Sequence, residues 1–134
     1  MRQERRHNGQ RGAAVVEMAL LLPVALLMLF GIIELSRFFY LRSMAATVAS
    51  DAVRKASLPN VTDADVIAAA LQEFQSYDLG VTPAVTVSPA ERTAGDTVTV
   101  KVQYPFTPIL LPQFVGENFF PASIKAGASA MVEP

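Results

Sequence analysis

Glu17 interrupts a run that is otherwise free of charge, G-A-A-V-V-E-M-A-L-L-L-P-V-A-L-L-M-L-F-G-I-I over residues 12–33. A carboxylate in such a run is unfavourable, on the order of 2–3 kcal/mol at a bilayer centre and less near its edge. Buried there, it needs a cation or hydrogen-bond donors. If the bond between Gly12 and Ala13 is cut, the new α-amino group of Ala13 lies close to Glu17, and in an assembly the Ala13 of a neighbouring copy could supply the cation instead. Glycine suits such a cut because it lets the backbone extend into a peptidase at low steric cost. The plainer readings stand beside these: a carboxylate solvated at a membrane edge, and a glycine that merely closes a flexible leader. Glu34 and Arg37, three residues apart where the apolar run ends, form either a solvated helix pair worth a few tenths of a kcal/mol or a register contact between subunits.

Most other chemistry is excluded by composition. The chain has 134 residues and no cysteine, so disulfides, thiolate catalysis and cysteine metal sites are absent. Its one histidine, His7, lies ahead of Gly12 and would leave with the leader. That argues against Ser-His-Asp catalysis and histidine-ligated metals. No base-and-nucleophile arrangement or phosphate loop is visible, so the expectation is a non-enzyme with no cofactor, no metal and no catalytic residues. The net charge of −1 suggests no nucleic-acid partner. It conceals an asymmetry: Arg2, Arg5, Arg6 and Arg11 against Glu4 make residues 1–12 +3, which leaves −4 for the rest.

These residues need a scaffold. Residues 13–33 would span roughly 31 Å as a helix, about one bilayer core. The length of the run, followed by Glu34, Ser36 and Arg37, reads as an anchor rather than a cleavable secretory signal. The leader arginines place the N-terminus in the cytoplasm. The expected organisation is a basic leader at 1–12, a transmembrane helix at 13–33 and an extracytoplasmic α+β domain at 34–134. Pro23 falls within the span, where a proline is tolerated with a kink. Beyond the span, Phe38, Leu41, Ala45, Val48 and Ala52 recur at helical spacing, so one helix should run from about 13 to 56 and pack on the domain.

Thr62-Asp63-Ala64-Asp65 resembles a capping box and opens a second helix to about Tyr77, closed by Leu79-Gly80. The period then changes to two. Val81, Val85 and Val87 mark one strand, and Val98, Val100, Val102 and Tyr104 a second. Ile124, Ala126, Ala128, Ala130 and Val132 mark a third. The first two should form a hairpin around Ala94-Gly95-Asp96. Between the second and third lies a proline- and phenylalanine-rich loop from Pro105 to Pro121, either a satellite core or an inter-subunit contact. The expected fold is α+β: a long N-terminal hydrophobic helix, a short second helix and a three-stranded antiparallel sheet, pilin-like in outline.

A glycine, four apolar residues, a glutamate and a hydrophobic helix form the pattern of a prepilin signal. The segment Arg11-Gly12-Ala13-Ala14-Val15-Val16-Glu17, the Leu-Leu-Pro at 21–23, Phe30-Gly31-Ile32-Ile33-Glu34, Arg37-Phe38-Phe39-Tyr40 and Ala52-Val53-Arg54 resemble the TadE family, pseudopilin-like proteins of tight-adherence (Tad, Flp) pilus systems. The signature covers about residues 11–56. Gly95-Asp96-Thr97-Val98-Thr99-Val100 leading to Tyr104-Pro105-Phe106 is a weaker echo. The resemblance implies a minor pilin or pseudopilin of a bacterial Tad type IV pilus, cut after Gly12 by a prepilin peptidase and held in the inner membrane with its domain in the periplasm. Partners would be other Tad pilins or pseudopilins, inner-membrane platform proteins and a cytoplasmic ATPase, in pilus assembly, adhesion and biofilm formation. Met18 departs from the aromatic residue common after the glutamate in prepilins of this class. The alternative is an uncleaved single-pass membrane protein whose outer domain binds a partner.

Overall fold

The computed structural model describes residues 7–77, 80–111 and 113–134. Leader residues Arg2, Glu4, Arg5 and Arg6, the expected helix stop at Leu79, and Pro112 lie outside the described residues, as do the side chains of His7, Arg11 and Phe114.

The architecture is the expected α+β arrangement, in the order α1 (His7–Ala56), α2 (Asp63–Gln75), β1 (Ala84–Ser88), β2 (Thr97–Pro105), α3 (Gln113–Phe119) and β3 (Ser123–Met131). Helix α1 has 50 residues, about 75 Å of helix at 1.5 Å per residue. It starts six residues ahead of the expected position, so Gly12 lies inside the helix instead of at an extended junction. Once a long helix is nucleated, each further residue adds a hydrogen bond at little cost, and no proline stands at 7–12 to stop it. The helix runs through Pro23 without interruption. Arg54 and Lys55 complement the negative end of the helix dipole. There the amide of Ser57 donates to the Val53 carbonyl (3.0 Å), and Asn60 turns the chain with a left-handed φ of 64°.

Helix α2 opens with the anticipated capping box. The Asp65 amide donates to the Thr62 hydroxyl (3.2 Å), and the Asp65 carboxylate accepts from the Thr62 hydroxyl (2.6 Å) and amide (3.2 Å). These bonds to its charged form, the hydroxyl first, hold the Asp65 carboxyl below its ordinary pKa.

The sheet is antiparallel in the order β1-β2-β3, with Val85 opposite Val102 and Val102 opposite Ala126. Period-two alternation places Val98, Val100, Val102 and Tyr104 on the inner face, all buried. They share a core with Leu41, Met44, Ala45, Val48, Ala49, Ala52, Val53 and Ala56 of α1 and with Val66, Ala70 and Phe74 of α2. Alanines on α1 and at 126, 128 and 130 of β3 leave room for helix and sheet to approach closely. Phe74 and Tyr104 stack with ring centroids 5.4 Å apart. At the far end of α1, Arg92 binds Asp63 and donates to the Ala56 carbonyl (3.3 Å), while the Glu133 amide donates to the Ser57 carbonyl (2.9 Å).

The segment from Pro105 to Pro121, expected as a loop, contains the short helix α3. Gly116 lets it approach the chain before it: a Cβ there would stand 2.7 Å from the Pro108 ring. Seven residues without an apolar stripe of helical length give no periodic signal.

Candidate functional site

Two places on α1 hold the residues singled out from sequence. The first is its N-terminal half. Every residue from 12 to 29 is exposed, and this stretch belongs to a helix long and apolar enough to cross a membrane. An apolar rod of that length with no protein cover is unfavourable in water and fits a membrane anchor. Ala13 and Glu17 are both exposed and one helical turn apart, a separation at which Cβ atoms lie about 5–6 Å from each other. Among the described residues Glu17 forms no ion pair. Pro23 lies mid-rod, also exposed.

The second place is where the rod meets the folded part. Glu34 directly follows the apolar run, and its burial is complete, at 0% exposure. One carboxylate oxygen accepts from Arg37 Nη1 at 2.6 Å. The other accepts from the backbone amides of Ile109 (3.2 Å) and Leu110 (3.1 Å), about 75 residues away in the chain. The same Arg37 nitrogen donates to the Thr107 carbonyl at 3.0 Å, and the guanidinium lies 5.0 Å over the Phe106 ring. Phe38, Phe106 and Phe120 close an aromatic cluster beside it, with centroids 5.3–5.5 Å apart. The pair is therefore not the solvated i,i+3 contact of a free helix. It is an intramolecular clasp that fastens the loop after β2 to α1 at the end of the apolar run. Three donors, one of them the Arg37 cation, satisfy a carboxylate that would otherwise be strongly destabilising at this depth. Arg37 keeps 34% of its side chain exposed, and Glu34 keeps none.

Sequence reasoning placed Glu34 and Arg37 together but missed Thr107, Ile109 and Leu110 as their partners. The available signal was chemical, not periodic. A glutamate directly after 16 apolar residues, 18–33, must find donors, and the uncharged loop after β2 was the segment without an assigned contact. Among the described residues no group of acidic or histidine side chains could hold a metal.

Residues 12–54 match a family model described as TadE-like protein. The match covers α1 from Gly12 almost to its end, and so includes both places described above. No curated protein and no solved structure matches the chain.

Proposed function

From this TadE-like helix, whose family consists of pilus components and not enzymes, we propose that the protein is a minor pilin or pseudopilin acting in Tad pilus assembly. The observation that carries the reading is one helix with two fates. Its second half is sealed by the chain's own sheet, while its first half is bare, apolar and marked by Glu17 five residues after Gly12. A bare half-helix needs lipid before assembly and neighbouring helices after it.

In this reading the N-terminus is cytoplasmic, residues 13–33 span the inner membrane and the domain from 34 onward is periplasmic. A prepilin peptidase cuts after Gly12. The fraying expected of the first turns of a helix would expose that bond despite its helical conformation. The freed ammonium of Ala13 then lies one turn from Glu17, on its own helix or on a neighbour's, and sets subunit register. Pro23 removes one backbone donor and gives the rod a bending point within the pilus. Arg37 is the member of the clasp left open to an adjacent subunit. Other Tad pilins and the membrane platform are the partners, and adhesion and biofilm formation are the cellular outcomes.

N-terminal sequencing or mass spectrometry of the protein from its own host, with and without the prepilin peptidase, tests the reading. A peptidase-dependent start at Ala13 is expected. An intact leader in both strains would remove the filament-subunit mechanism in favour of a permanently anchored partner-binding protein, the reading that Met18 after Glu17 favours.

A further inference from the structure

The clasp fixes more than Glu34. Because the amides of Ile109 and Leu110 bond to the Glu34 carboxylate, these two residues lie at the height of residue 34 on α1. If residues 13–33 cross the bilayer, that height is the boundary between hydrocarbon and headgroups. Yet Ile109 is 71% and Leu110 44% exposed. Next to them on the helix, Ile33, Leu35, Phe39 and Tyr40 are exposed as well. From Glu34 to Phe39 and Tyr40 the helix rises about 8–9 Å, and the headgroup layer on each face is about 5–7 Å thick. Phe119, 80% exposed, adjoins Phe120, whose ring lies 5.5 Å from that of Phe38.

The loop's composition agrees with its position. No charged residue occurs between Lys101 and Glu117. A water-facing loop tip ordinarily carries polar or charged side chains; this one presents Ile-Leu at its tip. It also covers Glu34, which on a bare helix would face lipid at the edge of the apolar run. Shielding a carboxylate from hydrocarbon while presenting apolar side chains outward is what a loop seated in the membrane interface does.

We propose that the tip at Ile109 and Leu110 is a second, interfacial membrane contact, which lies in the outer surface of the bilayer beside the helix and fixes how the folded domain stands on the membrane. The occupant of this apolar patch is lipid: the acyl-chain and headgroup boundary of the leaflet that α1 leaves. The inference rests on the membrane-spanning reading of residues 13–33, and the experiment separates the two.

The chain contains no tryptophan, so one introduced tryptophan is an unambiguous depth probe. The full chain is reconstituted in phosphatidylcholine–phosphatidylglycerol vesicles carrying acyl chains brominated at shallow or deep positions. Single variants Ile109→Trp, Leu110→Trp, Leu22→Trp and Leu58→Trp are compared. Leu58 is exposed at the far end of α1, about 36 Å along the helix from Glu34. Expected is a blue-shifted emission for tryptophan at 109 and 110 that loses most of its intensity to shallow bromines, deep quenching at 22, and no quenching at 58. Quenching at 22 without quenching at 109 or 110 overturns the inference and leaves the span intact. A blue-shifted but unquenched tryptophan at 109 overturns it in favour of cover by a second protein. No quenching at 22 removes the span, and the inference with it.

Discussion

Replacing Glu34 by alanine removes the acceptor for three donors at once, and its consequence can be worked from the clasp. Breaking a buried ion pair by deleting one partner costs about 3–5 kcal/mol when the remaining charge stays buried. Here the remaining charge is Arg37, with 34% of its side chain already exposed, so it rehydrates and the charge penalty is discounted. The amides of Ile109 and Leu110 lose their acceptor at about 1–3 kcal/mol each if they stay dry. The loop can instead swing away and hydrate them, which limits the total to the free energy of releasing the loop. We expect about 2–4 kcal/mol in all, concentrated in the loop after β2.

At about 1.4 kcal/mol per decade, that loss accelerates hydrogen exchange at the Ile109 and Leu110 amides by about 30- to 700-fold. Residue-resolved amide exchange on the full chain in detergent micelles reads this directly. Glu34→Gln keeps the volume and one acceptor oxygen but not the charge, and should lose about 1–2 kcal/mol. Amides in β2 and α2, such as those of Val100 and Ala70, should change little in either variant, because the loop and not the core carries the difference. Unchanged exchange at 109 and 110 in Glu34→Ala, or an equal loss of protection throughout the sheet, would refute the clasp as the local fastening.

Three further outcomes follow from the packing and the caps. Gly116→Ala puts a Cβ 2.7 Å from the rigid Pro108 ring, so α3 must shift at about 1–3 kcal/mol, seen as a lower Tm with faster exchange in α3 and the 106–111 segment. Ala49→Leu adds three carbons where α1 meets the sheet and the exposed surface is zero. The overpacking costs about 1–3 kcal/mol or more, measured by denaturant midpoint at unchanged m-value. Asp65 and Asp96 both have carboxyls held below the ordinary value by hydroxyl and amide hydrogen bonds, from Thr62 and Thr93 respectively. A carboxyl with a lower pKa folded than unfolded stabilises fully above its unfolded value, near 3.8, and that contribution fades as pH falls through the folded value. Carboxyl titration by NMR should show both shifted down, with Thr62→Val moving Asp65 alone back up toward its ordinary value, in part only, because the amide of residue 62 still donates to it.

Sequence and structure agree where a single period dominates. The stripe Phe38, Leu41, Ala45, Val48, Ala52 read as a helix and is one, and the alternation at Val98, Val100, Val102, Tyr104 read as the inner face of a strand and is buried as such. Thr62 and Asp65 announced α2 through local hydrogen bonds that involve only four residues. The helix start was misjudged because propagation past Gly12 has no side-chain signature. α3 and the clasp were illegible for a different reason. The clasp depends on contacts across 70 or more residues, Thr107 with Arg37 and Leu110 with Glu34, and α3 on the shape of Pro108 against Gly116. Spacing along the chain carries no record of such meetings. The one clue lay in physical chemistry: a carboxylate at the end of an apolar run has to be satisfied by something.

That clue also orders the two glutamates of α1. Both interrupt apolar sequence, 17 residues apart, yet they are handled differently. Glu34 is neutralised within the chain by Arg37 and two amides, so the helix exit is complete in a single copy and needs no neighbour. Glu17 has no ion-pair partner among the described residues and stands on a fully exposed rod. A carboxylate on an apolar rod is destabilising unless a cation arrives, and the cation that the proposed cleavage creates is the α-amino group of Ala13. The folded half of the molecule satisfies its own carboxylate, and on the proposed reading the bare half would gain its electrostatic partner only after processing or in contact with another copy. Glu17→Ala should therefore leave the clasp and the sheet unchanged, with wild-type exchange at Ile109, Leu110 and Val100, while incorporation into pili in the host falls sharply. Loss of folding in Glu17→Ala, or normal incorporation, would show that the division of α1 into a sealed half and an assembling half is wrong.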